Sequence, residues 1–320
     1  MKDPFEAIST VGVLPVIKIE DKNTAVNLAT AIRAGGINAI EVTARNETAF
    51  ESIALIKNAF PDMMVGAGTI TNIEMVKTAL NAGADFIVSP GFSREMVKFC
   101  VDNNIPVNPG CVTPSEILEA QELGLRVVKF FPANRYGGVG GIKDLSGPFS
   151  KMRFIPTCGI NFDNLGEYLS CPAVAAVGGS FMAKADVIAS HDWDTITSNC
   201  RKAVEIALGF ELAHVGINCP NKEEAVQWAN YINTAFPFGV NIGGKSTFLG
   251  TAVEFMHTPY FGTHGHIGFK VNSCERAKAF FESQGLAVNE DSISFDSKGN
   301  IKFFYLMDEI GGFALHVIKK

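Results

Sequence analysis

One lysine, Lys129, lies in an apolar segment that suits covalent chemistry with a ketone. Val127 and Val128 precede it, and Phe130 and Phe131 follow it. An amine attacks a ketone only when it is unprotonated, and a free lysine side chain, with a pKa of about 10.4, is almost wholly protonated at neutral pH. Burial among apolar groups favours the neutral amine. Lys129 is therefore a candidate Schiff-base nucleophile, although a lysine that extends out of the protein into solvent would have the same sequence neighbours.

Glu41 and Arg45 supply charges that such chemistry can use. Glu41 lies between Ile40 and Val42, and a buried carboxylate is costly unless it is paired or functional. Arg45 follows four residues later, just past the end of the apolar segment, where it can reach a substrate carboxylate. A structural ion pair of Glu41 with Arg45 or with Lys129 is the alternative. Both interpretations predict that Glu41 lies close to a cationic side chain.

Short apolar segments alternate with helical patterns over about the first 205 residues. The apolar segments are residues 12–17, 39–43, 64–69, 86–90, 106–110, 127–131, 154–157 and 175–179. The helical patterns between them include residues 24–33, 47–60, 73–82 and 114–122. Such units indicate parallel strands joined by right-handed crossovers and covered on both faces. Eight of them favour a closed (β/α)8 TIM barrel over an open sheet.

Polar residues and glycines cluster at the C-terminal ends of these segments. They are Arg45, Thr69, Pro90, Gly91, Gly110, Lys129, Thr157, Gly178, Gly179 and Ser180. Barrel enzymes build their active sites at this end of the strands. The candidate nucleophile and the candidate carboxylate-binding arginine therefore belong to the same predicted site.

Composition excludes several classes of protein. The chain has 320 residues, which suggests one large domain or two ordinary ones, and its 47% hydrophobic content is unlike that of a disordered protein. A net charge of −6 provides no basic excess for nucleic acid or an anionic membrane. The seven cysteines are scattered without a CxxC pair, which indicates a reducing compartment. Because neither a signal core nor an 18-residue apolar run is present, we expect a soluble cytoplasmic protein.

The last hundred residues contain a weak internal repeat. Residues 213–217 (AHVGI) are echoed by residues 265–269 (GHIGF) at an offset of 52, and the helical patterns that follow share three matched positions at the same offset. Each copy has the pattern of a strand, a helix and then several short strands. Duplication of a small α+β unit is the best account. We therefore predict two domains, a barrel over residues 1–208 and a smaller α+β domain over residues 209–320.

The ordered motifs of the first domain resemble those of one enzyme family. They are residues 12–17 (GVLPVI), 35–45 (GGINAIEVTAR), 65–69 (VGAGT), 89–91 (SPG), 129–133 (KFFPA), 147–149 (GPF), 156–157 (PT) and 178–180 (GGS). Over roughly residues 5–207 the chain resembles the 2-keto-3-deoxy-6-phosphogluconate aldolases, also called 4-hydroxy-2-oxoglutarate aldolases. The resemblance implies a class I aldolase of carbohydrate metabolism, in the Entner–Doudoroff route, that needs no cofactor and forms a homotrimer.

The resemblance also implies roles for individual residues. Lys129 corresponds to the Schiff-base lysine, Glu41 to the general acid/base, and Arg45 and Thr69 to the groups that bind the pyruvoyl carboxylate. The further substrate-binding positions are Pro90, Phe131, Thr157, Cys158, Gly159, Gly178, Gly179 and Ser180. The implied reaction splits the C3–C4 bond of a 2-keto acid and releases pyruvate.

The implied phosphate site departs from the family pattern at Cys158, where the family usually has a second glycine. Phosphate in barrels often binds backbone amides after strands 7 and 8, which here are residues 157–159 and 178–180. A cysteine keeps the amide N–H but needs room and a tolerable backbone angle. The substrate is therefore either phosphorylated or a non-phosphorylated 2-keto-3-deoxy sugar acid. Arg135 is either a compensating phosphate contact or a solvated side chain.

The second domain resembles a vicinal-oxygen-chelate, or glyoxalase-like, module, in which each βαβββ half opens with a histidine. His214 and His266 match the metal ligands of the first strands, and Glu254 matches a last-strand carboxylate. His316 lies in the final strand, where the family usually has glutamate. The set suits Zn²⁺ or another first-row divalent ion, and His257 and His264 are nearby alternatives. The other interpretation is a site of ordinary polar residues, so the domain is either a metal-dependent second enzyme or a non-catalytic binding module.

Residues 239–246 (GVNIGGKS) match the phosphate-loop pattern letter by letter. A phosphate loop precedes a helix, whereas residues 247–255 have the pattern of a strand. We therefore expect no nucleotide site here.

Overall fold

The chain divides into two compact units, Met1–Ala207 and Leu208–Lys320. The computed structural model describes residues 3–297 and 299–320. Among these residues, none of the helices combines the length and the apolar character that crossing a bilayer requires.

The first unit alternates strands and helices along its whole length. The strands are β1 Val13–Ile17, β2 Ala39–Thr43, β3 Met64–Gly68, β4 Phe86–Val88, β5 Val107–Asn108, β6 Val127–Phe130, β7 Arg153–Pro156 and β8 Val177–Gly179. The helices are α1 Pro4–Val11, α2 Ala25–Ala34, α3 Thr48–Ala59, α4 Ile73–Asn81, α5 Arg94–Asp102, α6 Pro114–Glu122, α7 Gly138–Ser146, α8 Leu165–Ser170, α9 Ala185–Ala189 and α10 Trp193–Leu208. Every predicted strand is therefore present within the described residues.

These strands are parallel and form a TIM-like α/β barrel. Six of the described strands hydrogen-bond in the order β5-β4-β3-β2-β1-β8, and β6 pairs with β7. Isolated parallel bridges from Gly110 to Lys129 and from Thr157 to Gly178 join the two groups of strands. The ring consequently carries Lys129 and Thr157 at its two junctions.

Strand β5 is shorter than the predicted segment 106–110. Pro106 and Pro109 flank its two residues, and proline has no N–H to donate to a sheet. The carbonyl of Pro109 nevertheless accepts the backbone N–H of Lys129 at 2.9 Å. The contact between β5 and β6 thus persists where the regular ladder stops.

Side-chain hydrogen bonds cap the N-termini of several barrel helices. Asn72 and Ser93 accept backbone N–H groups of the first turns of α4 and α5. Thr113 and Glu116 form a reciprocal capping box in front of Pro114, the first residue of α6. These caps fix where each loop after a strand ends.

The barrel core closes the end of the barrel at which the strands begin. Leu14, Phe86 and Ile155 pack together in one buried cluster, and Phe5 and Ile8 of α1 join it. The rings of Phe5 and Phe86 meet edge to face with centroids 5.6 Å apart. With this end filled by apolar side chains, the polar residues are left for the opposite end.

The second unit contains two consecutive βαβββ halves. The first is β9 Glu211–Asn218, α11 Lys222–Ala235, β10 Val240–Ile242, β11 Ser246–Leu249 and β12 Val253–Met256. The second is β13 Gly265–Val271, α12 Cys274–Ser283, β14 Val288–Phe295, β15 Ile301–Ile310 and β16 Phe313–Lys319. The described strands form one mixed sheet in the order β10-β11-β12-β9-β13-β16-β15-β14. The two halves therefore meet at the antiparallel pair β9–β13, the two strands that carry the repeated sequence.

The segment with the phosphate-loop pattern leads into strand β11. The predicted single strand 247–255 is two antiparallel strands, β11 and β12, because a turn at Gly250 with a φ of 59° separates them. No helix N-terminus follows residues 239–246, so this segment lacks the feature on which a phosphate loop depends.

Candidate active site and candidate metal centre

Lys129 points into the barrel and contacts Glu41. Its Nζ lies 3.2 Å from Glu41 Oε1, and the two side chains are only 8% and 2% exposed. The alternative of a lysine extended into solvent is therefore wrong. Of the ion pairs considered from the sequence, the described residues form the one between Glu41 and Lys129.

The aromatic ring of Phe131 completes the surroundings of the amine. Lys129 Nζ lies 5.4 Å from the ring centroid, within the range of a cation–π contact. Phe131 is half-buried, directly after β6. The amine is thus flanked by one carboxylate and one aromatic ring.

Gly68, at the end of β3, makes room for Glu41, and this role was missed from the sequence. A Cβ at this position would lie 2.2 Å from Glu41 Oε1. Gly68 pairs with Thr43, two residues beyond Glu41 on the neighbouring strand. The motif of residues 65–69 includes this glycine, but only the packing shows that the glycine makes space for the Glu41 side chain.

We expect Gly68→Ala to lower kcat/KM by about 10²-fold or more, because the added methyl group displaces the Glu41 carboxylate from the amine. Steady-state cleavage of the keto acid substrate measures this loss. Gly140→Ala is the matched control, since a Cβ at Gly140 in α7 meets open space. A Gly68→Ala enzyme that folds and keeps the activity of Gly140→Ala would contradict the proposed steric role.

Arg45 and Thr69 lie just beyond β2 and β3, at the same end of the barrel as Lys129. Arg45 is exposed, and its Nε donates to Thr43 Oγ1 at 3.3 Å. It forms no ion pair with Glu41 among the described residues. Thr69 is half-buried with a φ of 62°, in the left-handed region. The guanidinium is thereby held at the end of the barrel without a carboxylate partner among those residues.

The predicted phosphate end brings the loops after β7 and β8 together. Thr157 is buried, its Oγ1 has no hydrogen-bond partner within the described part of the chain, and a Cβ at Gly178 would lie 2.6 Å from that atom. Cys158 is exposed at a φ of 87°, and Gly159 follows at 75°. These backbone angles favour glycine at both positions, so Cys158 occupies a strained place.

Of the other predicted substrate-binding residues, Gly179 and Ser180 belong to this loop pair, whereas Pro90 follows β4 elsewhere at the same end of the barrel. Gly179 is buried at the end of β8, Ser180 is exposed directly after it, and Pro90 is exposed after β4. Arg135 is exposed in a short 3-10 helix, Ala133–Arg135. It forms no ion pair with any residue that the structure describes.

The four predicted metal ligands of the second unit lie on one face of the sheet. His214 and His266 share an Nε2–Nε2 contact of 3.0 Å, and Glu254 Oε2 lies 3.4 Å and 3.3 Å from these two nitrogens. A ring nitrogen of His316 lies within 4.8 Å of those of the other two histidines. Sequence reasoning therefore selected side chains that the fold brings to one point.

Two glycines make this convergence sterically possible. A Cβ at Gly216 would lie 2.2 Å from the His266 ring, and a Cβ at Gly268 would lie 2.7 Å from the His214 ring. Each histidine thus lies over the glycine of the other half, and the repeated pattern is histidine, any residue, glycine. The repeat showed both glycines in the sequence, but only the pairing of β9 with β13 shows that each makes room for a histidine of the other half.

Strand register makes Glu254 and His316 equivalent members of the two halves. Glu254 pairs with Gly216 of β9, and His316 pairs with Gly268 of β13. The two glycines are themselves related by the 52-residue repeat. The ring of His316 consequently lies on the same face of the sheet as the rings of His214 and His266.

Burial favours the neutral form of two imidazoles of the cluster, those of His214 and His316, and a neutral imidazole can bind a metal through its lone pair. Burial lowers the pKa of His316 to about 3, and burial also lowers the pKa of His214. Burial raises the pKa of Glu254, but hydrogen bonds from His266 and Ser246 and the electrostatic effect of the two nearest histidines outweigh it, so the net pKa is below its usual value. Among the described residues, both ring nitrogens of His316 and Nδ1 of His266 have no hydrogen-bond partner. Unpartnered buried donors around one carboxylate fit a divalent cation.

The alternative histidines lie outside this cluster. His257 Nε2 is engaged with Thr247 Oγ1 at 2.9 Å. The His264 ring packs beside Gly312 and Phe313. Neither belongs to the histidine group that the described residues bring within coordinating distance.

A cavity of about 630 Å³ adjoins the cluster. Phe248, Phe303 and Tyr305 line it, together with the four cluster residues. The Tyr305 ring lies 4.5 Å from that of His316, centroid to centroid. Sequence reasoning missed these aromatic residues, because only the pairing of β11 and β15 with their neighbouring strands brings them to the cluster.

Comparison with known proteins identifies the first unit. Residues 6–199 match the family model "Aldolase: KDPG and KHG aldolase". The chain is 42% identical over 202 residues to a 2-dehydro-3-deoxy-phosphogluconate aldolase of Treponema pallidum, covering 63% of this chain and 96% of that protein. It is 44% identical over 204 residues to the enzyme of that name from Dickeya dadantii, covering 63% and 96%.

A solved structure matches in the same way. It is a KDPG aldolase of Legionella pneumophila with pyruvate captured as a covalent carbinolamine, 40% identical, covering 62% of this chain and 97% of that chain with a TM-score of 0.61. The matched region contains the buried pair of Lys129 and Glu41. The chain belongs to the KDPG and KHG aldolase family.

Proposed function

We propose that the first unit cleaves 2-keto-3-deoxy-6-phosphogluconate to pyruvate and glyceraldehyde 3-phosphate, and 4-hydroxy-2-oxoglutarate to pyruvate and glyoxylate. The observation that carries this proposal is the buried amine of Lys129 at 3.2 Å from the carboxylate of Glu41. Relatives named 2-dehydro-3-deoxy-phosphogluconate aldolase and KHG/KDPG aldolase, each matched over 96% of its length, support these two substrates.

The first step forms an imine between Lys129 and the C2 ketone. The lone pair of the amine attacks C2, and Glu41 transfers the proton that converts the carbonyl oxygen to a hydroxyl. Glu41 then takes a proton from the carbinolamine nitrogen and gives it to that hydroxyl, which leaves as water while the nitrogen lone pair forms the protonated imine. Glu41 suits both transfers because its carboxylate contacts the amine directly.

The second step breaks the C3–C4 bond. Glu41 accepts the proton of the C4 hydroxyl, the C4 oxygen forms the aldehyde, and the electrons of the C3–C4 bond pass into the imine to give an enamine. Glu41 returns that proton to C3, and addition of water to the regenerated imine then releases pyruvate and the free amine. The imine is the electron sink, so no cofactor is required.

Binding groups for the two ends of the substrate lie at the same end of the barrel. Arg45, which follows β2, offers a guanidinium for the pyruvoyl carboxylate, and Thr69 follows the neighbouring strand β3. The unpartnered hydroxyl of Thr157 and the backbone of residues 157–159 and 178–180 suit the far end of the substrate.

Borohydride trapping tests the proposal. Incubation with pyruvate and borohydride reduces the imine to a stable secondary amine, and we expect mass spectrometry of the digest to place that adduct on Lys129. An intact enzyme that gives no adduct there, or gives it on another lysine, would overturn the assignment.

We predict that Cys158→Gly raises kcat/KM for the phosphorylated substrate by about tenfold, less than one charge-assisted hydrogen bond can contribute. Glycine adopts the φ of 87° freely and removes a side chain from the loop at the phosphate end. The 4-hydroxy-2-oxoglutarate reaction should change little, and Cys158→Ser, which keeps the size, should resemble the wild type. Equal changes with both substrates would show that Cys158 does not affect phosphate binding.

We further propose that the second unit is a vicinal-oxygen-chelate (glyoxalase-like) module that binds a divalent metal through His214, Glu254, His266 and His316. Its two βαβββ halves, the equivalent positions of Glu254 and His316, and the unpartnered ring nitrogens support this assignment. Such a metal would supply Lewis acidity toward a ligand in the adjoining cavity.

Metal analysis of the full chain tests this second proposal. We expect about one equivalent of Zn²⁺ after dialysis, lost in the double variant His214→Ala/His266→Ala and kept in His264→Ala, whose histidine lies outside the cluster. Absence of metal from the wild type after zinc loading would leave the non-catalytic module as the function of this unit.

We also propose a cytoplasmic homotrimer, on the family resemblance alone. Light scattering during size-exclusion chromatography of the full chain tests the assembly. A monomeric mass at micromolar concentration would contradict it.

A further inference from the structure

We propose that His316 makes the metal centre of the second unit selective for late first-row ions such as Zn²⁺, Ni²⁺ and Co²⁺, and against Mn²⁺ and Mg²⁺. This inference rests on the metal-binding function proposed above. Under this proposal His316, and not the other three ligands, determines which metal the site prefers.

The internal symmetry of the unit shows what His316 replaces. Glu254 and His316 take equivalent positions in β12 and β16, because each pairs with the glycine of its half, Gly216 or Gly268. A symmetric site would contain two histidines and two carboxylates. This chain has an imidazole in place of the second carboxylate.

His316 has no competing partner within the described residues. Its side chain is buried, and neither ring nitrogen forms a hydrogen bond. The rings of Tyr305 and Phe303 lie 4.5 Å and 5.4 Å from it, centroid to centroid. Aromatic packing therefore orients the imidazole, and its nitrogens remain available to an ion.

Ligand chemistry gives the direction of the selectivity. Imidazole suits Zn²⁺, Ni²⁺ and Cu²⁺, whereas carboxylates suit Mg²⁺ and Mn²⁺. Three imidazoles and one carboxylate carry a formal charge of −1, and the symmetric set would carry −2. Hard ions lose both an oxygen ligand and a unit of attraction when imidazole replaces carboxylate, so the preference shifts toward the later metals.

The experiment compares metal affinities of the full-length wild type and His316→Glu. Competition with a chromophoric chelator measures Zn²⁺, and equilibrium dialysis measures Mn²⁺. We expect the Zn²⁺:Mn²⁺ affinity ratio to fall by at least about tenfold in His316→Glu. His264→Glu adds the same charge outside the cluster and should keep the wild-type ratio.

A second variant tests the same proposal if His316→Glu does not fold. His316→Gln removes the imidazole without adding charge, so Zn²⁺ affinity should fall while Mn²⁺ affinity stays low. A wild-type ratio in either folded variant would overturn the role of His316 and leave metal binding standing. Failure of the wild type to bind any of these ions would overturn both proposals at once.

Discussion

Lys129→Met is expected to remove aldolase activity by more than about 10⁴-fold and to abolish borohydride trapping with pyruvate. The covalent route passes through the amine of this side chain, and methionine of similar length supplies no nucleophile. The amine lies at 3.2 Å from its acid/base partner, and the described residues place no second lysine against Glu41. Cleavage assays and adduct mass measure the two losses.

The controls separate chemistry from stability. Removing the ammonium leaves the Glu41 carboxylate buried and unpaired, which costs about 3–5 kcal/mol in such pairs. Lys129→Arg keeps a positive charge near Glu41 but cannot form the imine, and Lys151→Met removes an exposed lysine elsewhere. A folded Lys129→Arg enzyme with activity within tenfold of Lys151→Met would show that the imine forms elsewhere.

The barrel was predictable because its signals are local. Short apolar segments covered on both faces, separated by amphipathic segments, have few solutions other than parallel strands with crossovers. The ends of these segments then place Lys129, Arg45 and Thr69 at one end of the barrel from the sequence alone. Boundaries were less predictable, as β5 shows, because prolines end the hydrogen bonding within an otherwise apolar segment.

Close packing across strands was not predictable. Position 68 needs a glycine because the carboxylate of Glu41 lies against it. Glu41 is on the neighbouring strand, two residues before Thr43, which pairs with Gly68. Nothing in the spacing of residues 65–69 names that partner. The same holds for Tyr305, which reaches His316 only because β15 pairs with β16 in the observed register.

In the second unit, some sequence patterns predict the structure better than others. His214 and His266 occupy equivalent positions of the 52-residue repeat, and they meet because the two repeated strands pair in one sheet. His316 depended on a register in which one residue changes the face of the sheet. The phosphate-loop pattern of residues 239–246 does not indicate a nucleotide site, because a strand follows it where a phosphate loop requires a helix.

Glu41→Gln is expected to lower kcat by about 10²–10⁴-fold, the usual contribution of a positioned acid/base group. The amide keeps the size of the side chain and can still accept a hydrogen bond from the amine, so the barrel should fold. It cannot accept the proton of the C4 hydroxyl. Deuterium exchange into the methyl group of pyruvate, followed by proton NMR, isolates the role of Glu41 at C3 and should slow in parallel.

Glu41→Gln and Lys129→Met should differ in borohydride trapping, and this difference distinguishes the roles of the two residues. Glu41→Gln retains the nucleophile, so a borohydride adduct should still accumulate on Lys129 during long incubation, whereas Lys129→Met gives none. Glu47→Gln, an exposed glutamate two residues past Arg45, should exchange and cleave like the wild type. Normal methyl exchange in Glu41→Gln would assign the proton transfers to another group and reduce Glu41 to a structural partner of the lysine.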